Sequence, residues 1–596
     1  MFTRFLLVLC LTGAALPAQN ANAALEGAQR LGPPDTAGRI SAYKKGNNYL
    51  LSIQPAVLRK PFYWYSELVG VPAGATANSL EASTAIAQFE RHGNLVVIRD
   101  LTTRSRSQAP IEKEVPGSDR MVRPIEVAIE TIETGAVIAS FPIGGENPDG
   151  SLVIDITKVF SGDIENCTAR PFAALTGAQV AGVDPSRSYL DSLRINDKSL
   201  NIRTHITFLG VLPQAPAYGP QPVSVVVGHS FIFLPERAMT PRYRDARVGY
   251  IDTPVTLYEA ETRNASLAKS MVTRFRLEKK NPKAAVSDPV KPIIFYLGTG
   301  IPDRWRPYVR AGVEAWRPVF EKAGYSNAVV ALDAPTPQQD PNWHAEDVSI
   351  NVIRWLPQGN VNALGAHVVD PRSGEVLSAH ILLWASVVDY FARYYHSVFA
   401  TVDPEAATLP LSDKKMGELM AYIVTHEVGH TIGLRHNHFA STAYTVAQMR
   451  DAKFANEHGP NTSVMAYGRF NQVAQPGDGV TRLYSRIGSY DYAAVQWGYG
   501  DFASQKELDA FATRMDGDRN TQWGAHELPE EAAKHGYDPR VLTENTGAER
   551  IEATQLGVAN VTRSLARLDE ATKGNATEFN AAYSVMLDTQ LRYRCV

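Results

Sequence analysis

Residues 421–438 read Ala-Tyr-Ile-Val-Thr-His-Glu-Val-Gly-His-Thr-Ile-Gly-Leu-Arg-His-Asn-His. They contain the pattern His426-Glu427-x-x-His430-x-x-Gly433-x-x-His436. At 3.6 residues per turn, His426 and His430 share one helix face about one turn apart, so both imidazoles can reach a single metal ion. Glu427 can stand beside that ion without being a ligand. Gly433 can take positive φ, which ends the helix and turns the chain. That turn brings His436 round as a third nitrogen. Three protein ligands leave one position of a tetrahedral Zn2+ open, the arrangement of catalytic rather than structural zinc sites. With 14 His and 43 Gly in 596 residues, chance supplies this pattern on the order of 10⁻⁵ times per chain. His438 lies outside the Gly-x-x-His spacing and is read as a neighbour of the site, not a ligand.

Working upstream, Pro292 to Leu297 reads as a buried strand. A helix is expected from Arg304 to Ala323, capped by Asp303 and carrying Tyr308, Ala311, Val313, Trp316 and Phe320 on its apolar side. Strands follow at Ala328 to Leu332 and Val348 to Trp355. His367 to Asp370 and Val376 to Trp384 flank the turn Pro371-Arg372-Ser373-Gly374. Strand, helix, strands and then the histidine helix is the order of a zincin-type α/β domain.

From about Arg39 to Phe275 the pattern is mostly strands. Ile125, Val127 and Ile129 alternate with Glu126, Ala128 and Glu130, and short runs recur at Ala136 to Ala139, Asn94 to Ile98, Leu152 to Ile156, Ile202 to Leu209 and Val223 to Phe233. Phe62-Tyr63-Trp64-Tyr65 could stack on a sugar or peptide, but a buried strand is the preferred reading. The expected fold is α+β and multidomain: a β-rich N-terminal region, an α/β zinc domain and a mostly helical C-terminal segment. The expected divisions are 1–23 signal peptide, 24–70 N-terminal segment, 71–285 β-rich domain, 286–500 zinc domain and 501–596 helical region.

The chain begins as an export signal does. Arg4 precedes an apolar run from Leu6 to Leu16, and Ala21-Asn22-Ala23 offers small residues for cleavage after Ala23, with Ala18 a second candidate. Leu9 is too large for the residue before a lipidated Cys10. After Leu31-Gly32-Pro33-Pro34-Asp35, a flexible lead-in, no apolar run reaches the roughly 18 residues that span a bilayer. A periplasmic or secreted protein is expected. Of the three cysteines, Cys167 and Cys595 remain after signal removal, and two free thiols are preferred over a disulfide. The net charge is −3, with 44% hydrophobic and 20% charged residues. Those values exclude a disordered or collagen-like chain and argue against general nucleic-acid binding, which needs a basic surface.

Beyond His436 lies Ser463-Val464-Met465-Ala466-Tyr467. The long histidine motif followed by such a methionine turn resembles the metzincin clan. By that resemblance, Met465 forms an apolar floor under the histidines and Tyr467 approaches the metal and the transition state. More closely, Trp305-Arg306-Pro307-Tyr308, Gly312-Val313-Glu314-Ala315-Trp316, Ala323-Gly324-Tyr325, Val352-Ile353-Arg354-Trp355 and Asp370-Pro371-Arg372-Ser373-Gly374-Glu375 look like the bacterial Met-zincin family, with its Ecx-type zinc-binding domain. Leu234 to Arg242 and Asp245 to Tyr250 look like the uncharacterised domains that precede it there. The resemblance implies an exported zinc metalloendopeptidase acting on a protein or peptide, with Glu427 and Tyr467 in its chemistry. It also implies an exposed edge strand for substrate just before the histidine helix, near Val376 to Leu383. Members of that family extend past Leu591 to Val596, which leaves a shortened C-terminus open. The rival reading is a noncatalytic exported binding protein with a vestigial zinc site. The intact Glu427 argues against it.

Overall fold

The structure is a computed structural model that describes residues 24–32, 39–72, 80–102, 106–107, 113–114, 121–122, 134–164, 167–213, 219–259, 265–357, 363–526 and 538–594. The signal segment 1–23, the strand expected at Ile125 to Ile129, Cys10 and Cys595 lie outside the described residues. The chain contains both sheets and helices, β-rich at the N-terminal side and helical at the C-terminal end. It divides into two compact units, one of residues up to 103 with 135–233, the other of 104–134 with 234–596.

The first unit is built on a twelve-stranded antiparallel sheet that includes the strands expected near 94–98, 136–139, 152–156, 202–209 and 223–233. The aromatic run falls in Pro61–Gly70, a strand paired on both sides, with Leu80–His92 and Gln221–Phe233. Phe62, Trp64 and Tyr65 are buried, and the Phe62 ring lies 4.9 Å from both Phe89 and Phe231. This is a core strand, not a stacking platform. Cys167 is a free buried thiol, and burial pushes its pKa up.

In the second unit, strands β1 (Ile293–Leu297), β2 (Val329–Asp333), β3 (Asn351–Leu356), β4 (Ala363–Asp370) and β5 (Glu375–Trp384) form a sheet of order β2-β1-β3-β5-β4. All neighbours are parallel except the β4–β5 hairpin. The segment expected to be the exposed edge, Val376 to Leu383, lies in β5 and is paired on both sides. The edge position on that side of the sheet belongs to β4, with β2 at the opposite edge. Val376, Ile381, Leu382 and Leu383 are all buried, as suits a strand between two others.

The single helix expected over 304–323 is two, α1 (Arg306–Glu314) and α2 (Arg317–Lys322). Pro318 is the cause: a proline ring inside a helix clashes with the carbonyl four residues earlier, here that of Glu314. Asp303 caps neither helix; Trp305 precedes α1. Downstream run α3 (Ala385–Phe399) and the histidine helix α4 (Asp413–Thr431), whose first turn is capped by Ser412 Oγ accepting from the Lys415 N–H at 3.2 Å. Gly312 allows α1 to press on α4: a Cβ there would lie 2.7 Å from the Ala421 carbonyl oxygen and from Val424 Cβ. Trp316 Nε1 donates to the Thr425 carbonyl at 2.9 Å, one residue before His426. The C-terminal part contains α5 (Ser489–Tyr499), α6 (Arg550–Leu565) and α7 (Ala576–Arg594). Helices α6 and α7 pack on α3 around Tyr395, Phe399, Val561, Met586 and Tyr593. Among the described residues, no helix is long and apolar enough to cross a membrane.

Candidate metal centre

Helix α4 ends where the spacing places its end, at Thr431, and Gly433 follows with φ of +104°. A side chain at Gly433 would run into the Thr273 carbonyl and lie 2.9 Å from the Tyr250 ring, so both backbone conformation and space demand glycine. The turn swings His436 back over the helix. His430 Nε2 then lies 3.2 Å from His426 Nε2 and 3.1 Å from His436 Nε2.

These rings do not bond one another. His426 Nδ1 donates to the Val464 carbonyl at 2.8 Å and His430 Nδ1 to the Leu434 carbonyl at 2.8 Å. A neutral imidazole with its proton on Nδ1 presents a bare lone pair at Nε2. Burial and the two adjacent imidazoles hold His426 well below the usual histidine range, in the neutral, ligating form. Converging lone pairs repel unless a cation lies between them. Zn–N bonds of about 2.0–2.1 Å at tetrahedral angles separate ligand nitrogens by about 3.3–3.4 Å, close to the spacings seen. The three residues fit a divalent ion with nitrogen preference, and they are the group of donors among the described residues able to hold one.

Glu427, next to His426 on the helix, is buried, and desolvation pushes its carboxyl up to about 8, opposed by a hydrogen bond from the Gly365 backbone. Gly365 sits on β4, the edge strand; a Cβ there would lie 3.0 Å from the Glu427 carbonyl oxygen and 3.4 Å from His430 Cβ. The edge strand thus runs close over the histidine helix.

Met465 is fully buried against Gly429, between His426 and His430 on the helix, where a Cβ would collide with the Met465 sulfur. The Tyr467 ring centroid lies 4.1 Å from that of His436, and the Arg469 guanidinium stands 4.2 Å over the Tyr467 ring. His438 stands behind His436, with ring centroids 6.2 Å apart, and its nitrogens are not among the convergent set. Met465→Leu is expected to leave metal content unchanged and cost less than about 1.5 kcal/mol of stability, because the swap roughly conserves volume. Metal analysis with a denaturation curve checks both.

Several residues that support this site have no motif to announce them. Trp523 Nε1 donates to the His436 carbonyl at 3.0 Å, and Asn437 Nδ2 to the Gln522 carbonyl at 2.9 Å, so a segment some 87 residues downstream pins the third histidine. Asp491, on α5, accepts from Ser463 Oγ at 2.6 Å and from the Val464 and Gly488 N–H groups at 2.8 Å each. Burial raises its carboxyl to about 7 against those three bonds. The Val464 backbone therefore links Asp491, through its N–H, to His426 Nδ1, through its carbonyl. Asp491→Ala is expected to weaken zinc binding about 10-fold, at the low end of what loss of an outer partner costs. Asp491→Asn should restore most of it, since its oxygen keeps both N–H bonds while its NH2 donates to Ser463 Oγ. Competition with a chromogenic chelator measures both.

Two imidazoles and a buried carboxylate on a helix backed by a mixed sheet, with a third imidazole returned by the turn after it, define a candidate metal-binding domain. Residues 408–594, which carry all three histidines, match the Met-zincin family model. Residues 81–280 match a model described as a domain of unknown function (DUF5117). The two matches together are consistent with a Met-zincin-like region preceded by an uncharacterised domain. No curated protein and no solved structure matches it.

Proposed function

We propose that the chain is an exported zinc-dependent endopeptidase hydrolysing peptide bonds of protein or peptide substrates, with a metzincin-type catalytic domain. The observation that carries this reading is the convergence of His426, His430 and His436 Nε2, with buried Glu427 lining the same cavity as His426. Zinc held there would polarise a carbonyl and lower the pKa of a coordinated water toward about 7. The charge of a bound divalent ion would favour the ionised carboxylate of Glu427, which accepts the proton of the attacking water and returns it to the leaving amine. Tyr467 donates its hydroxyl proton in a hydrogen bond to the oxyanion that develops on the substrate carbonyl. The edge strand β4 offers its open side to an extended substrate, where main-chain pairing supplies affinity and pockets supply choice.

In this proposal residues 1–23 are the removed signal, 24–70 and 71–285 the N-terminal segment and β-rich domain, 286–500 the catalytic domain and 501–596 the helical region. The deciding experiment is incubation of purified, zinc-quantified protein with a mixed peptide library read by mass spectrometry, before chelation, after it, and after zinc is returned. Cleavage lost on chelation and regained with zinc supports the reading. A protein that holds one zinc per chain yet cleaves nothing would be the noncatalytic binding protein instead.

A further inference from the structure

A cavity of about 350 Å³ opens beside the histidines, and His426 and Glu427 form part of its wall. Helix α3 turns one face to it, with Val387, Tyr390, Phe391 and Tyr394 at i, i+3, i+4 and i+7. Tyr422 and Ile423 line it from α4, and Tyr467 and Arg469 from the segment after the methionine turn. The remaining wall comes from the last described helix: Asp588 and Arg592 of α7, one turn apart.

Two features of this lining define what fits. The first is charge. Arg469 pairs with Glu544, and Arg592 lies 3.3 Å from Glu544 and 2.8 Å from Asp588, which also accepts from the Tyr390 hydroxyl at 3.1 Å. Away from Glu427, two guanidiniums thus meet two carboxylates and cancel. A charged side chain reaching that end would lose its water and find no unmatched opposite charge, which is costly. The second is size and surface. The volume is more than twice the about 150 Å³ that holds a benzene ring. Most of the wall is aromatic or aliphatic, and aromatic walls favour a ring in offset or edge-to-face contact.

We propose that this cavity receives an uncharged aromatic side chain of the substrate, phenylalanine or tyrosine, at a residue flanking the scissile bond, and that α7 sets its depth and charge balance. This inference rests on the endopeptidase reading above. The two are separable by experiment. The zinc-loaded full chain is given a random peptide library, and phenylalanine and tyrosine should be enriched about 10-fold over alanine at one position next to the cut. In parallel, zinc-loaded Glu427→Ala protein is titrated calorimetrically with a peptide carrying phenylalanine there and with its alanine twin; the phenylalanine peptide should bind about 10-fold tighter.

Two variants probe the pocket itself. Val387→Phe narrows it, and the ratio of kcat/KM for the phenylalanine peptide over the alanine peptide should fall about 10-fold. Asp588→Asn, at a half-exposed position, leaves two guanidiniums against one carboxylate, and glutamate should become an accepted residue at the same position. Cleavage by the wild type with no aromatic preference would overturn the pocket assignment and leave the endopeptidase reading standing. Absence of any cleavage by the zinc-loaded protein would overturn the endopeptidase reading and this one with it. If Val387→Phe does not fold, unchanged selectivity in Asp588→Asn still overturns the charge-balance argument.

Discussion

Replacing Glu427 by alanine is expected to leave zinc bound and to abolish turnover. Glu427 lines the same cavity as His426 but is not one of the converging donors, so the substitution removes none of them. In the proposed mechanism, what goes is the acceptor for the water proton. General-base catalysis alone is worth about 10²- to 10⁴-fold, and loss of the base also leaves the water unplaced. Steady-state kinetics on one cleaved peptide, with zinc measured on the same samples, reads both quantities. Tyr467→Phe provides the scale. It deletes one hydroxyl from a ring 4.1 Å from His436. A hydrogen bond made mainly in the transition state is worth about 10²- to 10³-fold in kcat, with little change in KM. Wild-type turnover in Glu427→Ala would sink the proposed mechanism. Wild-type turnover in Tyr467→Phe alone would leave the mechanism in place and return Tyr467 to a packing role.

The second large effect is on metal binding. His430 is the middle of the trio, within 3.2 Å of both other Nε2 atoms. His430→Ala leaves two imidazoles to hold the ion. Zinc affinity should fall by more than the about 10- to 100-fold typical of a lost outer-shell partner. His426→Ala and His436→Ala should behave alike, while His438→Ala, whose ring stands behind His436, should keep its zinc. A thermal readout checks this independently. A ligand that binds only the folded state at 1,000 times its Kd adds about 4 kcal/mol of stability. Added zinc should therefore raise the Tm of the metal-stripped wild type and of His438→Ala, and leave that of His430→Ala unmoved. Equal zinc in wild type and His436→Ala would remove His436 from the ligand set.

Much of the metal centre was legible in 11 residues because everything it needs there is local. The one-turn spacing of His426 and His430 follows from helix pitch, and the return of His436 from the φ freedom of Gly433, whose φ is indeed +104°. The buried strand at Phe62 to Tyr65 was readable from its run of aromatic residues, which suit a covered pleated surface; it continues to Gly70, with Trp64 to Val69 all buried. The break between α1 and α2 was written in Pro318 but masked by the apolar spacing on either side.

Only the tertiary structure decided which strand forms the sheet edge. β4 and β5 are joined by a turn and look alike in isolation; the difference is that β5 also pairs with β3, a contact made by residues some 28 positions apart such as Val352 and His380. The same holds for the carboxylate behind the methionine turn, the tryptophan over His436 and the α7 wall of the cavity. Asp491 stands 27 residues from Val464, Trp523 stands 87 from His436, and Asp588 stands 198 from Tyr390. Spacing rules act over one or two turns of helix or a few residues of strand. Which distant segment then covers a buried donor, or closes a pocket, is settled by packing of the whole unit, where burial leaves each polar group to find its partner wherever the chain returns.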